Sequence, residues 1–421
     1  MKILFLTPQF PYPPHKGTTM RNYYLIANLA ARHEVDLLTF VESDEAMRES
    51  PLHAMCRRIE SVPVPRRSLS RRAADTLLSP WPDMGLRLWS HKFVEKLGDR
   101  SADTDYDVIQ VEGIELARYM LRVARRKPQT GRPQALAPGP QTIFDNHNCE
   151  YLLQQRAFET DLRIPKRWLG AMYSLVQWRK LRAFEASVCR AADRVLAVSN
   201  ADAAALRRLA PGLDVTVIPN GIDAASYALL PTPPLAPPSL RDRREGTDLV
   251  FTGTMDFRPN VDAALWFAHE VMPLIREQEP RARFVIVGQK PHRRLNVLRG
   301  RPEVLITGAV DDARPYIASG AVYVVPLRMG GGTRFKILEA AALGKAMVST
   351  SLGCEGFPVQ NGRDLVIADS PREFADAVVQ LVHDPARRAE LGACARRLAD
   401  EYDWNKIIPR MEVVYAGRRN V

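Results

Sequence analysis

The chain has no Cys-x-x-Cys pair, and its five cysteines, Cys56, Cys149, Cys189, Cys354 and Cys394, are far apart and odd in number. That argues against a disulfide framework and predicts a reduced, cytosolic setting. Long apolar runs are also missing. No stretch approaches the ~18 to 20 residues needed to cross a bilayer, so any membrane contact is expected to be peripheral. At the start, only four apolar residues follow Lys2 before Thr7-Pro8 ends the run, which reads as a buried strand rather than a signal peptide. An export signal, as a periplasmic sugar-binding protein would carry, is therefore not expected. Neither the Gly17 loop nor the Gly253 loop has the G-x-G-x-x-G spacing of a nicotinamide-dependent oxidoreductase. No recognised nucleic-acid module accompanies the basic charge, so nucleic acid is not an expected partner.

What is present is ordinary in bulk and skewed in charge. A chain of 421 residues exceeds what one hydrophobic core usually supports, which predicts two domains. Its 46% hydrophobic and 25% charged residues suit a soluble globular protein. The 59 Lys and Arg against 48 Asp and Glu leave a formal charge of +11. An anionic partner fits this excess, and arginine richness without such a partner is the alternative.

Strand Lys2 to Thr7, a Pro-rich loop to Gly17, helix Thr18 to Ala31 and strand Val35 to Phe40 form a βαβ unit. Apolar runs at Val108 to Val111, Gln141 to Phe144, Arg194 to Val198 and Val215 to Ile218 extend it as a parallel sheet. Residues 229–246 hold Pro231, Pro233, Pro234, Pro237 and Pro238 and a charged cluster without apolar periodicity, and read as a linker. The pattern then restarts, with strands at Asp248 to Thr252, Arg283 to Val287, Val304 to Thr307, Ala321 to Pro326 and Ala346 to Ser349. Helices are expected at Val261 to Glu277, Asp311 to Ala318 and Thr333 to Leu343. The fold class is α/β, with two doubly wound domains in tandem: 1–228, and 247–402 after the linker. A last helix within 403–421 is expected to pack back on the first domain.

The most informative segment runs from Val324 to Glu339. It sets Gly330-Gly331-Gly332-Thr333 between a strand end and a helix start. Glycines let the backbone approach a ligand, and a helix N-terminus offers free N–H groups and partial positive charge, an arrangement that suits a diphosphate. The helix end contributes only about 0.3 to 1 kcal/mol, so cations should assist it. Arg328, Arg334 and Lys336 lie close by. Glu339 sits in an otherwise apolar run, where a carboxylate needs a reason such as accepting hydrogen bonds from sugar hydroxyls. A simple tight connection is the alternative for the glycines.

This segment and Gly344 to Thr350 resemble the donor-site signature of glycosyltransferase family 4, in the subgroup with Gly-Gly-Gly-Thr-Arg-x-Lys-x-Leu-Glu-Ala, similar to bacterial surface-polysaccharide transferases. Val198-Ser199 with Asp202, Ile218 to Asp223, Phe251-Thr252-Gly253 with Pro259-Asn260, and Glu355-Gly356 extend the resemblance across the chain. It implies a GT-B fold, two Rossmann-like domains facing a central cleft, with a nucleoside diphosphate sugar held mainly by the second. It also implies no metal, no cofactor and retention of anomeric configuration. Glu339 matches the second glutamate of the family's Glu-x7-Glu pattern, which binds the ribose, while Gly331 stands in place of the first. Thr254 and Pro259 stand where the family usually has Arg and Lys, so Arg258, Arg334 and Lys336 are expected to supply the displaced charge. Gly17 resembles the family's glycine loop near donor and acceptor. His147, in Asp145-Asn146-His147-Asn148, resembles the histidine that contacts the donor sugar; Asp145 and Glu150 are read as structural or orienting groups. His147 and Glu339 are the expected catalytic pair. A GT-B sugar-nucleotide epimerase and a catalytically degenerate binding subunit remain alternatives.

Basic pairs Arg57-Arg58, Arg66-Arg67 and Arg71-Arg72 lie near Leu69, Leu77, Leu78 and Trp81, and residues 163–182 mix Lys166, Arg167, Arg179 and Lys180 with Trp168, Tyr173 and Trp178. These suit an anionic membrane surface on the inner face, where a lipid-linked acceptor would reside. Amphipathic helices with inward-packed aromatics are the alternative.

Overall fold

The computed structural model describes residues 1–14, 17–43, 45–125, 139–162, 165–228 and 247–417. The linker read at 229–246, and Arg163 of the second basic segment, lie outside the described residues. The chain forms two compact units.

The first unit holds a sheet of β1 (Lys2–Thr7), β2 (Glu34–Val41), β3 (Arg58–Pro63), β4 (Val108–Glu112), β5 (Gln141–Asn146), β6 (Arg194–Ala197) and β7 (Val215–Val217). Its order is β3-β2-β1-β4-β5-β6-β7, with every pairing parallel. Side chains alternate across a strand, so Ile3 and Phe5 enter one core with Leu25, Ile26 and Met411, and Leu4 and Leu6 enter the other with Phe93, Tyr119 and Met120. Burial on both faces explains why these strands read as continuous apolar runs. The helix Trp404–Ala416 belongs to this unit, with Trp404 stacked on Tyr24 at 5.6 Å between centroids.

The second unit carries β8 (Asp248–Thr252), β9 (Arg283–Val287), β10 (Val304–Ile306), β11 (Val322–Val325), β12 (Met347–Ser349) and β13 (Val366–Ile367), in the order β10-β9-β8-β11-β12-β13. All pairings are again parallel. The helix expected from Val261 starts earlier, at Arg258, and runs to Gln278 through a π turn at Phe267–Val271. The glycine-loop helix is shorter than expected, Phe335–Ala342.

Three features differ from the sequence reading. Strands β3 and β13 were not anticipated; both are edge strands, β3 mixing Arg58 and Glu60 with a terminal Pro63 and β13 being two residues long. The first unit ends at Pro219 rather than 228. The physical reason is that Ile222 N–H donates to the Tyr402 carbonyl at 2.8 Å and Ala224 N–H to Asp403 at 3.1 Å, which ties this stretch into the second unit.

In each sheet the strand order reverses once, between β1 and β4 in the first and between β8 and β11 in the second. Helices leave to opposite faces on either side of such a point, which opens a crevice beyond the strand carboxyl ends where ligands of α/β sheets bind.

Candidate functional site

The crevice of the second unit is lined by the loops after β8 and β11. After β8, Gly253 adopts φ +155°, and a methyl group there would fall 2.6 Å from the Asn260 amide nitrogen. Only glycine leaves Asn260 room to donate to the Thr254 carbonyl at 3.0 Å and to accept from Lys336 Nζ at 3.0 Å. Lys336 Nζ also donates to the Thr252 carbonyl at 2.6 Å and lies 4.1 Å from the Phe251 ring centroid. One ammonium group from the second residue of the glycine-loop helix thus fastens that helix to the end of β8.

After β11, Gly330 and Gly332 hold φ +105° and +75°, a left-handed backbone that would strain any other residue by about 1 to 2 kcal/mol. A Cβ at Gly330 would stand 3.4 Å from Pro259 Cγ, so the glycine loop abuts the N-terminus of the helix Arg258–Trp266. Arg334 Nη1 donates to the Gly331 carbonyl, and Thr333 Oγ1 accepts from the Asn220 amide at 2.6 Å. The glycine turn is only partly covered by protein. Two helix N-termini therefore meet at an accessible backbone cradle, the arrangement that favours a polyanion.

The electrostatics follow from burial. Desolvation, with Arg334 close by, lowers the Lys336 pKa to about 7 against the partial support of Glu339. For Glu339, burial raises the pKa, and Lys336 and the Tyr227 hydroxyl at 3.4 Å oppose the rise. The structure gathers Gly330, Gly331, Gly332, Thr333, Arg334, Lys336 and Glu339 around the loop and helix that follow β11. Arg328 is turned away into a bidentate contact with Asp262, 3.2 Å on each arm, over the Trp266 indole. Arg258 is the exposed first residue of its helix. Asn220, Tyr227 and Asn260 also enter this crevice, and sequence reasoning did not assign them.

In the first unit, Gly17 is exposed and opens the helix Gly17–Ala30. One turn on, Arg21 is buried and grips Asp145 through Nε at 2.9 Å and Nη2 at 3.1 Å, while its Nη1 donates to the Pro219 carbonyl at 3.1 Å. His147, two residues beyond Asp145, places Nε2 2.6 Å from Glu112 at the end of β4. Glu112 also accepts from the Gln110 amide, and Gln110 accepts from the Tyr415 hydroxyl of the terminal helix. Burial by itself would lower the His147 pKa; the hydrogen bond and charge of Glu112, with Asp145 nearby, outweigh it and the net shift is upward. Glu112 is raised in turn, by burial first and by Asp145, with His147 and Arg21 offsetting part. His147 has a side-chain exposure of 12%, so one edge of the ring reaches solvent. Glu150 is pushed up to about 8 and Glu185 to about 7, both mainly by burial. Glu185 accepts from the Asn146 amide and Tyr151 N–H, which fixes the turn that carries His147.

Glu112, Asp145 and His147 offer ligand atoms within 4.8 Å of one another. They do not fit a dication, because the Arg21 guanidinium already fills the Asp145 carboxylate and would face any metal there. The signal that could have found Glu112 and Gln110 is two hydrogen-bonding residues in a strand otherwise made of Val and Ile.

The expected basic and aromatic surfaces are only partly on the outside. Arg57 is paired with Asp36 and Glu34, Trp81 packs edge-on to Phe184, and Trp178 stacks on Phe158. All five cysteines are free, and no described helix is long and apolar enough to cross a membrane.

Two doubly wound parallel sheets in tandem are the architecture of the GT-B class of glycosyltransferases. Residues 16–226 match the family described as Glycosyltransferase Family 4, and residues 246–384 match the one described as Glycosyl transferases group 1. The chain belongs to glycosyltransferase family 4. It is 30% identical to the phosphatidyl-myo-inositol mannosyltransferase of Mycolicibacterium smegmatis over 210 residues, 48% of this chain and 52% of that protein. An uncharacterized 44.6 kDa protein in the cps region of Klebsiella pneumoniae is 20% identical over 419 residues, 96% of this chain and 97% of that one. Among solved structures, sucrose-phosphate synthase from Thermosynechococcus elongatus has a similar fold, with a TM-score of 0.68 at 19% identity over 99% of this chain and 98% of that chain.

Proposed function

We propose that the chain moves a hexose-type sugar, with retention, from a nucleoside diphosphate sugar to a lipid-linked or saccharide acceptor in cell-surface polysaccharide or glycolipid synthesis. The observation that carries this reading is the crevice at the β8/β11 reversal, where the glycine loop, two helix N-termini and Lys336 meet. In this reading the first unit serves the acceptor and the second holds the donor. The diphosphate lies on Gly330 to Thr333, with Lys336 and Arg334 as its cations and Arg258 at the rim, while Arg328 stays with Asp262. Glu339 accepts hydrogen bonds from donor hydroxyls. The bond from the anomeric carbon to the phosphate oxygen breaks as the acceptor oxygen bonds that carbon on the same face, and the acceptor proton passes to the departing phosphate. No protein base is needed, and the site lowers the barrier by stabilising the charge that develops on the diphosphate. His147 keeps the sugar-contacting role that the family resemblance gives it, and Gly17 the place of the family's glycine loop.

The acceptor class is supported by two relatives, the phosphatidyl-myo-inositol mannosyltransferase and the protein of the cps region. Scattered free cysteines support a reducing, cytoplasmic setting. A second reading, a nucleotide-sugar-binding subunit without turnover, draws on Gly331 standing where the family has glutamate.

A thermal-shift panel of nucleotide sugars tests the donor assignment, because a ligand of the folded state at 100 times its Kd stabilises by about 2.7 kcal/mol. At least one nucleoside diphosphate sugar is expected to raise the midpoint, and no response across the panel contradicts the reading. A donor-hydrolysis assay with the responding sugar then separates an enzyme from a binding subunit.

A further inference from the structure

The helix Leu69–Leu78 has no buried residue, yet its composition is strongly two-sided. At 100° per residue, Leu69, Ala73, Leu77, Ala74 and Leu78 span one half of the helix, and Arg72 and Asp75 lie on the other. An ordinary surface helix turns its apolar side inward, and here the arrangement is reversed. The polar side is the anchored one. Arg72 pairs with Asp83 at 3.0 Å, Asp75 with Arg67 at 2.7 Å, and Arg67 with Asp83 at 2.9 Å. Asp83 is itself held through its N–H by Gln177, and Lys180 donates to the carbonyls of Thr76 and Ser79 at 2.7 and 2.6 Å. Leu69, Leu77 and Leu78 are left 79%, 80% and 85% exposed.

A second apolar edge lies alongside. Arg72 contacts Tyr173, and Lys180 reaches the end of the leucine helix, so that helix runs beside the start of Trp168–Ala191. There Trp168, Met172 and Leu169 are exposed, Leu169 at 90%. Leucines this open cost free energy in water unless something covers them. The charge around them says what: Arg66, Arg71, Lys166 and Arg179 are all exposed, and residues 65–74 contain four arginines and no acid.

We propose that the solvent-facing side of the helix Leu69–Leu78, with the Trp168 to Tyr173 edge, docks on an anionic lipid surface. Leu69, Leu77, Leu78 and Leu169 enter the acyl boundary, while Arg66, Arg71 and Lys166 meet the headgroups. For a lipid-linked acceptor this deepens the transferase reading, on which it rests for its purpose but not for its geometry.

The full chain is sedimented with vesicles of phosphatidylcholine and phosphatidylglycerol (3:1), with pure phosphatidylcholine vesicles, and at low and high salt. Wild type is expected to sediment with the anionic vesicles at low salt and to stay in solution with the neutral ones. Leu77→Asp/Leu78→Asp is expected to lower partitioning at least tenfold, and Arg66→Gln/Arg71→Gln by on the order of 20-fold, about fivefold per arginine near a charged surface. Both variants alter exposed side chains outside the donor crevice, so their nucleotide-sugar binding should match wild type, which separates failure of this inference from failure of the donor assignment. Wild type remaining in the supernatant with anionic vesicles overturns the proposal, as do variants that sediment like wild type. A leucine-dependent dimer that forms instead of vesicle binding also overturns it.

Discussion

Replacing Lys336 by methionine keeps the length and apolar stem of the side chain and removes its charge. In the structure the ammonium holds the Thr252 carbonyl and Asn260 at the lip of the glycine loop, and desolvation has brought its pKa to about 7. A charge-assisted hydrogen bond contributes about 1.5 to 3 kcal/mol, so the intrinsic loss of nucleotide-sugar affinity should be roughly 10- to 150-fold. Near pH 7 only part of the wild-type Lys336 population carries its proton, which makes the apparent loss smaller than the intrinsic one. The pH dependence is the sharper signature. The protonated form binds the diphosphate and is fully populated below the free-state value, so affinity should be greatest in mild acid. It should then fall, by at most about tenfold per unit, as pH rises through and above about 7. A nucleotide sugar has no phosphate oxygen titrating in this range, so the slope belongs to the protein. Titration calorimetry from pH 6 to 8.5 on both proteins measures it. Wild type should show the fall and the Lys336→Met variant a clearly shallower one above pH 7, since His147 still titrates at the lower end of the range. A variant within threefold of wild type, or a wild-type affinity constant across the range, refutes the reasoning.

Two further outcomes concern the first unit. Glu112→Gln removes the carboxylate that supports the His147 imidazolium, so the His147 titration followed by NMR should move from above the usual histidine value toward or below it. An unmoved titration would show that Glu112 does not position the ring. Asp145→Ala strands the buried Arg21 guanidinium, which should cost about 3 to 5 kcal/mol and lower the melting midpoint of that unit by roughly 6 to 20 °C. A midpoint within 2 °C of wild type, measured by calorimetry, contradicts the pairing.

Much of the architecture was legible because it rests on local patterns. Runs such as Lys2–Thr7 and Asp248–Thr252 are buried on both faces and bounded by turn residues, and a triple glycine before a helix is rare enough to mark a loop. Glu339 stood out as a carboxylate within an apolar run. The parts that were not legible depend on distant partners. Arg21 and Asp145 are 124 residues apart, Asn220 and Thr333 are 113 apart, and Tyr415 reaches Gln110 from the far end of the chain. Arg328 and Lys336 look alike as basic neighbours of the glycines, and only the folded chain separates them: Asp262 occupies the first, while the second enters the crevice. The reversal of the Leu69–Leu78 helix was hidden for a related reason, since its polar side is held by Asp83 and Lys180, whose proximity no local pattern encodes.

The claim at the centre of this account is that the turn Gly330 to Thr333 cradles a diphosphate. A crystal structure with a bound nucleoside diphosphate sugar tests it most directly. The account predicts phosphate oxygens within hydrogen-bonding distance of the backbone N–H groups of Gly331 to Thr333 and of Lys336 Nζ. A nucleotide bound elsewhere, with that turn left empty, would contradict it.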